Sequence, residues 1–345
     1  MQSIDQAIAT IKAGRHLTRE QCYEVFSLIM TGRCEPGLMA DFLTCLAHKG
    51  ESIEEIVGAT DVMHEHVTRV PCDADAMDTC GTGGDGINTY NVSTAAAIIA
   101  AAAGAVVAKH GNHSHTRVSG SAQAAACLGI TLEAPVPVLQ QCLASCRIAF
   151  LHAPLLHPAM RHAAPVRKQL GIRTIFNIVG PLTNPAGVKR QLLGVFKPDL
   201  TEKLGQVLIA RGATHAWVVH AECGLCDLSI TGTSRVTEVR DGRMRTFAIH
   251  PNEYGLRVAP LESLLIDSPA SSAAAIRAIL DGVDTGPRYD HALLNAGGAL
   301  VVAGVAEDLA EGIALSRKAI ASGQAAETLR RLCELSSGRG LNAQG

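Results

Sequence analysis

Four glycines in six residues, Gly81-Thr-Gly-Gly-Asp-Gly86, precede Asn91-Val-Ser-Thr94 and an alanine-rich run. Such a loop folds tightly and turns several N–H groups on an anion with no Cβ in the way. A helix opening at Asn91 adds unpaired N–H donors and the positive end of its dipole, which both favour phosphate. Ser93 and Thr94 add hydroxyls. No Gly-Lys-Ser/Thr follows, so this is not a Walker A loop, and the spacing gives no clean dinucleotide fingerprint. An ordinary tight turn with an N-cap would use the same residues.

A second group follows closely. After a short apolar run at 105–108 the chain reads Lys109-His-Gly-Asn112. In open α/β sheets ligands bind where strands end. Lys109 would offer a point charge to phosphate, and Gly111 a close approach. His113, His115 and Arg117 add donors on the same turn, with Ser119 and Ser121 beyond. A solvated polar loop reads similarly. Arg167, set among apolar residues on a helical stretch, suits bidentate capture of a carboxylate; a lone arginine is as readily a structural ion pair. In combination the groups describe a pocket for a phosphorylated sugar.

The elements that must carry these residues fall into two parts. Residues 1–70 read as a small helical domain, in which Ser3-Ile-Asp-Gln6, Thr18-Arg-Glu-Gln21 and Ser52-Ile-Glu-Glu55 each fit a capping box. Val25, Phe26, Leu28 and Ile29 give one apolar face, and Phe42, Leu43 and Leu46 another, with Gly32 and Gly50 as stops. From 71 to 345 short β-prone runs at 105–108, 192–196, 216–220 and 246–250 alternate with helical stretches. That alternation predicts an α/β domain with a mostly parallel central sheet. The segment 157–184 reads as a helix, a turn at Gly171 and a second short helix before Gly180-Pro181. A charged amphipathic helix starts at Glu307, and the tail from Ser336 is expected to fray.

Composition narrows the function. The 345 residues are 47% hydrophobic and 18% charged, which is globular rather than disordered. A net charge of −2 and 3% aromatic residues argue against a nucleic-acid surface built on bulk charge or base stacking. No apolar run is long enough for a spanning helix, and no signal peptide is visible, so a cytoplasmic location is expected. Eleven scattered cysteines read as reduced thiols. Cys223 and Cys226 form a lone C-x-x-C without the second pair a zinc site would want.

In combination these blocks resemble the anthranilate phosphoribosyltransferase family. The matching residues are GTGGDGINTYNVST at 81–94, AKHGN at 108–112, GSA at 120–122, HPAM at 157–160, APVRKQLGIRTIFNIVGPLTNPAG at 164–187 and LLNAGGAL at 293–300. The resemblance implies a helical N-terminal domain, with the helices of 157–184 packing near it, and a nucleoside phosphorylase-like α/β domain. It implies a homodimer through the helical domain. It also implies transfer of phosphoribose from phosphoribosyl pyrophosphate to the amine of anthranilate, in tryptophan synthesis. Carried over by position, Gly81, Gly84, Asp85, Thr89, Asn91, Ser93, Thr94, Lys109, Ser119 and Ser121 would hold phosphoribosyl pyrophosphate. Gly81, His110, Asn112, His152 and Arg167 would line the aromatic-acid site, with Lys109, Asn112 and Arg167 closest to the chemistry. Ser93 and Asp227 would hold Mg²⁺.

Several positions depart from the family pattern. Where the family usually has Asp-Gly-Leu-Asp-Glu, this chain has Cys223-Gly-Leu-Cys226-Asp227. A hard cation prefers oxygen, so one Mg²⁺ site should be weakened by Cys226. The turn after Asn112 loses an arginine and a lysine and gains two histidines and a displaced Arg117; Gln123 stands for an Asp and His152 for a Phe. Three readings therefore stand: the anthranilate enzyme with a drifted metal site, a paralogue acting on another aromatic or heteroaromatic acid, and a non-catalytic relative that binds a ligand or nucleic acid. The acceptor, the number of Mg²⁺ ions, any role of Cys223 and Cys226, and the oligomeric state stay open at this level.

Overall fold

In the computed structural model, residues 3–72, 75–114 and 117–338 are described. Four helices come first: α1 (Ile4–Lys12), α2 (Arg19–Met30), α3 (Pro36–Lys49) and α4 (Ile53–Glu65). The three expected capping boxes are present at Ser3, Thr18 and Ser52, each hydroxyl accepting from the N–H three residues on. At the third box the carboxylate is also a core element. Glu55 is fully buried and accepts from Lys49 Nζ at 2.8 Å, Ser52 N at 2.7 Å and Leu17 N at 2.9 Å.

The α/β domain alternates β1 (Met77–Gly81), α5 (Val92–Ala102), β2 (Val107–Gly111), α6 (Ser121–Cys127), α7 (Val136–Cys146) and β3 (Ile148–His152). Then come α8 (Ala153–Leu156), a 3₁₀ turn Pro158–His162, α9 (Ala164–Leu170), α10 (Phe176–Val179), β4 (Arg190–Gly194), α11 (Leu200–Ala210) and β5 (His215–Ala221). The hairpin β6 (Ser234–Arg240) and β7 (Arg243–Ile249) precedes α12 (Pro269–Leu280), α13 (Pro287–Ala303), α14 (Leu309–Ala321) and α15 (Gln324–Ser336). Among the described residues the sheet has seven strands in the order β3-β2-β1-β4-β5-β6-β7. Strands β1 to β5 are parallel, and β6 and β7 antiparallel. The fold is thus a small helical domain joined to a larger α/β domain with a mostly parallel sheet.

Two cores form. One lies between the sheet and α5, α7, α12, α13 and α15. The other joins α1 to α4 with Ala163, Val166, Ile175, Phe176 and Val179, and continues onto α11 and the face of β4 and β5 that carries Leu193 and Val218. Phe26 of α2 meets Phe176 with ring centroids 5.4 Å apart.

Sequence and structure differ at several element bounds. The strand expected at 105–108 is Val107–Gly111, because each of its residues pairs with β3 from Val107↔Ile148 to Gly111↔His152. Lys109 and His110 therefore lie inside a strand, not on a turn after it. The strands expected at 192–196, 216–220 and 246–250 are Arg190–Gly194, His215–Ala221 and Arg243–Ile249, and β1, β3 and β6 gave no separate signal. The single C-terminal helix is two, split at Gly323 with φ +76°. Residues 339–345, most of the tail expected to fray, lie outside the described residues.

Candidate active site

The parallel strands end together, at Gly81, Gly111, His152 and Gly194, along one edge of the sheet. Strand order reverses at β1, whose successor in the chain lies on one side and β4 on the other. Such a switch point opens a crevice beyond the strand ends, and the glycine loop leaves β1 there. The crevice is built on close backbone contact. A Cβ on Gly194 would lie 1.5 Å from the Cys226 carbonyl oxygen, so only glycine fits. Thr82 N donates to Gly194 O at 2.8 Å.

Gly83, Gly84 and Gly86 have φ of +59°, +82° and +73°, a curl that side chains would oppose. Asp85 points inward from the curl. It accepts from Ile87 N and Cys226 N, both at 3.2 Å, and from the Arg117 guanidinium through two nitrogens, Nε at 2.5 Å. The Arg173 guanidinium donates to Gly84 O and stacks over the Phe196 ring, 4.7 Å from its centroid. Two guanidinium groups thus clamp the loop, where an anion would find both. Asn91 caps α5 with its main chain, while its carboxamide oxygen accepts from Ser119 Oγ and Ser272 Oγ, each at 2.7 Å. The Thr89 and Thr94 hydroxyls are buried and find no partner among the described residues. Ser121 Oγ donates to Asn112 O at 3.2 Å, fixing the turn after β2.

Lys109 is 2% exposed, with Nζ donating to Thr79 O at 2.5 Å. Behind it Asp78, fully buried, accepts from His110 N at 3.0 Å and Asn184 Nδ2 at 2.8 Å. Burial pushes the Asp78 carboxyl up and the Lys109 charge pulls it back. Ser93, Cys226, Asp227 and Asn295 surround a cavity of about 10 Å³ beside Thr79. Burial raises the Asp227 carboxyl to about 6, against the pull of Arg117 and Lys109. The charges from the β2 strand, its following loop and the β5 loop therefore act on one spot.

Ser93 and Asp227 suit a hard cation: both offer oxygen, both face that cavity, and neither side chain bonds to another described residue. They are not a full set. Among the described residues no three His, Cys, Asp or Glu side chains group to hold a metal, so ligand phosphate and water would complete the shell. Cys226 contributes no charge, since burial pushes its thiol up to about 12. Its roles are the main-chain N–H to Asp85 and a thiol contact at 3.7 Å to Gly83 O.

On the β2–β3 side, His110 Nε2 and His157 Nε2 lie 3.1 Å apart. Burial, followed by neighbouring positive groups, holds His157 down to about 4 and His110 well below the usual imidazole range. The pair is neutral, one ring donating and the other accepting. His152 ends β3 beside Gly111, and the His113 ring meets it at 5.2 Å. Arg167, on α9, lies over the Phe176 ring at 5.1 Å, and among the described residues no carboxylate pairs with it. Burial makes its charge harder to hold. Arg167 does not bond to the glycine loop or β2. Its segment is tied to them at both ends, through His157 on His110 and Arg173 on Gly84.

Sequence reasoning missed four contributors. His157 and Arg173 lay in quoted motifs without a role. Asn184 likewise lay in a quoted motif without a role, and Ser272 gave no signal, because its partner Asn91 is distant in the chain. His115 lies outside the described residues.

Residues 73–326 match the a/b domain of a glycosyl transferase family, and residues 5–67 match that family's helical bundle domain. The anthranilate phosphoribosyltransferase of Chloroflexus aggregans is 46% identical over 97% of this chain and 99% of its own length. The crystal structure of anthranilate phosphoribosyltransferase from Thermus thermophilus superposes with a TM-score of 0.90 at 40% identity, covering 96% of this chain and 99% of that one. The Saccharomyces cerevisiae enzyme in complex with PRPP and Mg gives a TM-score of 0.88 at 26% identity, covering 97% and 98%.

Proposed function

This chain belongs to the glycosyl transferase family of the anthranilate phosphoribosyltransferases, and on that premise we propose how its residues divide the work. The reaction joins the anthranilate amine to C1 of phosphoribosyl pyrophosphate, giving N-(5-phosphoribosyl)anthranilate and pyrophosphate in tryptophan biosynthesis. The C1–N bond forms as the C1–O bond breaks, its electron pair leaves with pyrophosphate, and the new secondary amine gives up one proton to water. The aryl amine is neutral at pH 7, so no strong base is needed. The work is to spread charge on the leaving group and to align a weak nucleophile.

One observation carries this division: the curled glycine loop and the Lys109 and Arg117 charges converge beside Ser93 and Asp227 at the switch point. Gly81, Gly84, Asp85, Thr89, Asn91, Ser93, Thr94, Lys109, Ser119 and Ser121 hold phosphoribosyl pyrophosphate, with Thr89 and Thr94 supplying the free hydroxyls. Gly81, His110, Asn112, His152 and Arg167 hold the aromatic acid. Arg167 has no carboxylate of its own among the described residues and is free to take the substrate's. Ser93 and Asp227 hold Mg²⁺, which when bound neutralises charge on the pyrophosphate. The neutral Cys226 thiol leaves that site short of one oxygen ligand.

The α1–α4 face is the proposed surface of a homodimer, which light scattering would test. A cytoplasmic location suits the pathway, and among the described residues no helix is long and apolar enough to cross a membrane. The direct assay follows pyrophosphate release from phosphoribosyl pyrophosphate with anthranilate. No release with anthranilate would overturn the reading.

A further inference from the structure

His152 is 7% exposed, and both its ring nitrogens are enclosed with no hydrogen-bond partner among the described residues. Leaving such groups unpaired costs about 1–3 kcal/mol each, so nearly all buried polar atoms find partners. The register places His152 beside Gly111, one residue before Asn112. The only ring against it among the described residues is that of His113, edge-on and itself exposed to solvent. The imidazole thus lies beside a surface side chain at the end of β3, next to the turn that follows β2, and nothing among the described residues satisfies it.

Burial, then the neighbouring His113, keeps His152 below the usual imidazole range. It is therefore neutral, one nitrogen donating and the other accepting. An apolar ring edge can meet neither need. A hydroxyl can meet either, because it both donates and accepts.

We infer that His152 reads a hydroxyl on the ring of the acceptor, so that this chain takes hydroxylated aminobenzoates in preference to those with a methyl group at the same ring position. The inference rests on the acceptor site assigned above and specifies the substrate class. His113 swings aside to admit the substituent, and the hydroxyl then replaces it against the imidazole. The reaction at the amine is unchanged, since the hydroxyl is read and does not react.

The test measures kcat/KM for anthranilate and for hydroxy- and methyl-anthranilates at each ring position, by pyrophosphate release. At one position the wild-type protein should favour hydroxyl over methyl by about tenfold, the worth of one good hydrogen bond. His152→Phe should abolish that ratio, and His152→Asn, which keeps a donor and an acceptor, should retain part of it. The ratio is the readout, so a general loss of activity in either variant does not decide the matter. No hydroxyl preference at any position in the wild type, or a preference that His152→Phe leaves intact, overturns this inference alone. No release with any aminobenzoate, anthranilate included, overturns the parent reading and this one with it.

Discussion

Lys109 lies within a strand, its ammonium held on the Thr79 carbonyl, while Arg167 lies on a helix over the Phe176 ring, and the proposed division gives phosphoribosyl pyrophosphate to the first and the aromatic acid to the second. The two should therefore fail differently. Lys109→Ala should raise KM for phosphoribosyl pyrophosphate most, and Arg167→Ala should raise KM for anthranilate. Each loses a charge-assisted hydrogen bond, about 1.5–3 kcal/mol or roughly ten- to hundredfold. Steady-state kinetics with each substrate varied in turn would show it, and equal shifts for both substrates in either variant would contradict the division. Cys226 gives a third residue-scale prediction. Its main chain is fixed by Asp85 and by the Gly194 contact, so Cys226→Asp can add an oxygen ligand without moving the loop. That variant should reach half-maximal rate at lower Mg²⁺, and an unchanged Mg²⁺ titration would count against the account of the metal site.

Among the elements, those closed by local rules are the easiest to test. Ser52 caps α4 and orders Glu55. Ser52→Ala should cost about 1 kcal/mol, read as a lower urea midpoint with an unchanged slope. The same locality explains what the sequence made legible. A capping box lies within four residues, so three helix starts could be read directly. The glycine loop and the start of α5 could too. Strand β1 could not, because its Asp78 and Thr79 read as polar loop. They are tolerable in a buried strand because Asp78 accepts from Asn184 and the His110 main chain and the Thr79 hydroxyl donates to Ser93 O, partners that arrive from elsewhere in the chain. Lys109 was misplaced for a related reason: pairing with β3 draws it into the sheet, and no local pattern announces that partner. Arg173 and Ser272 complete the site by tertiary contact alone. The resemblance named a candidate site because it spans most of the chain, which no single motif here does.

At the scale of the whole molecule, acid should be the weak point. His64 and His291 are held down to about 4, as is His157, and His110 lies well below its usual range, in each case chiefly by burial. The unfolded chain takes up protons near pH 6.5 while these native groups do not. Stability is therefore full above about pH 6.5 and falls as pH drops toward 4, by up to about 1.4 kcal/mol per pH unit for each histidine. Urea midpoints between pH 7.5 and 4.5 should fall steadily, and His157→Phe should make the slope shallower. A flat profile would mean that the native imidazoles protonate freely.

Helices α1 to α4 share their core with the 163–179 segment, so Phe26 and Phe176 belong to one packed unit despite the sheet strands that intervene in the chain. A recombination breakpoint near residue 70 would cut that unit in two. The downstream fragment would keep its glycine loop but bare the apolar underside of the helix that carries Arg167. The two blocks must therefore be inherited together, and on the proposed assignment the ability to grip an aromatic acid cannot be shuffled onto a new partner without its helical bundle.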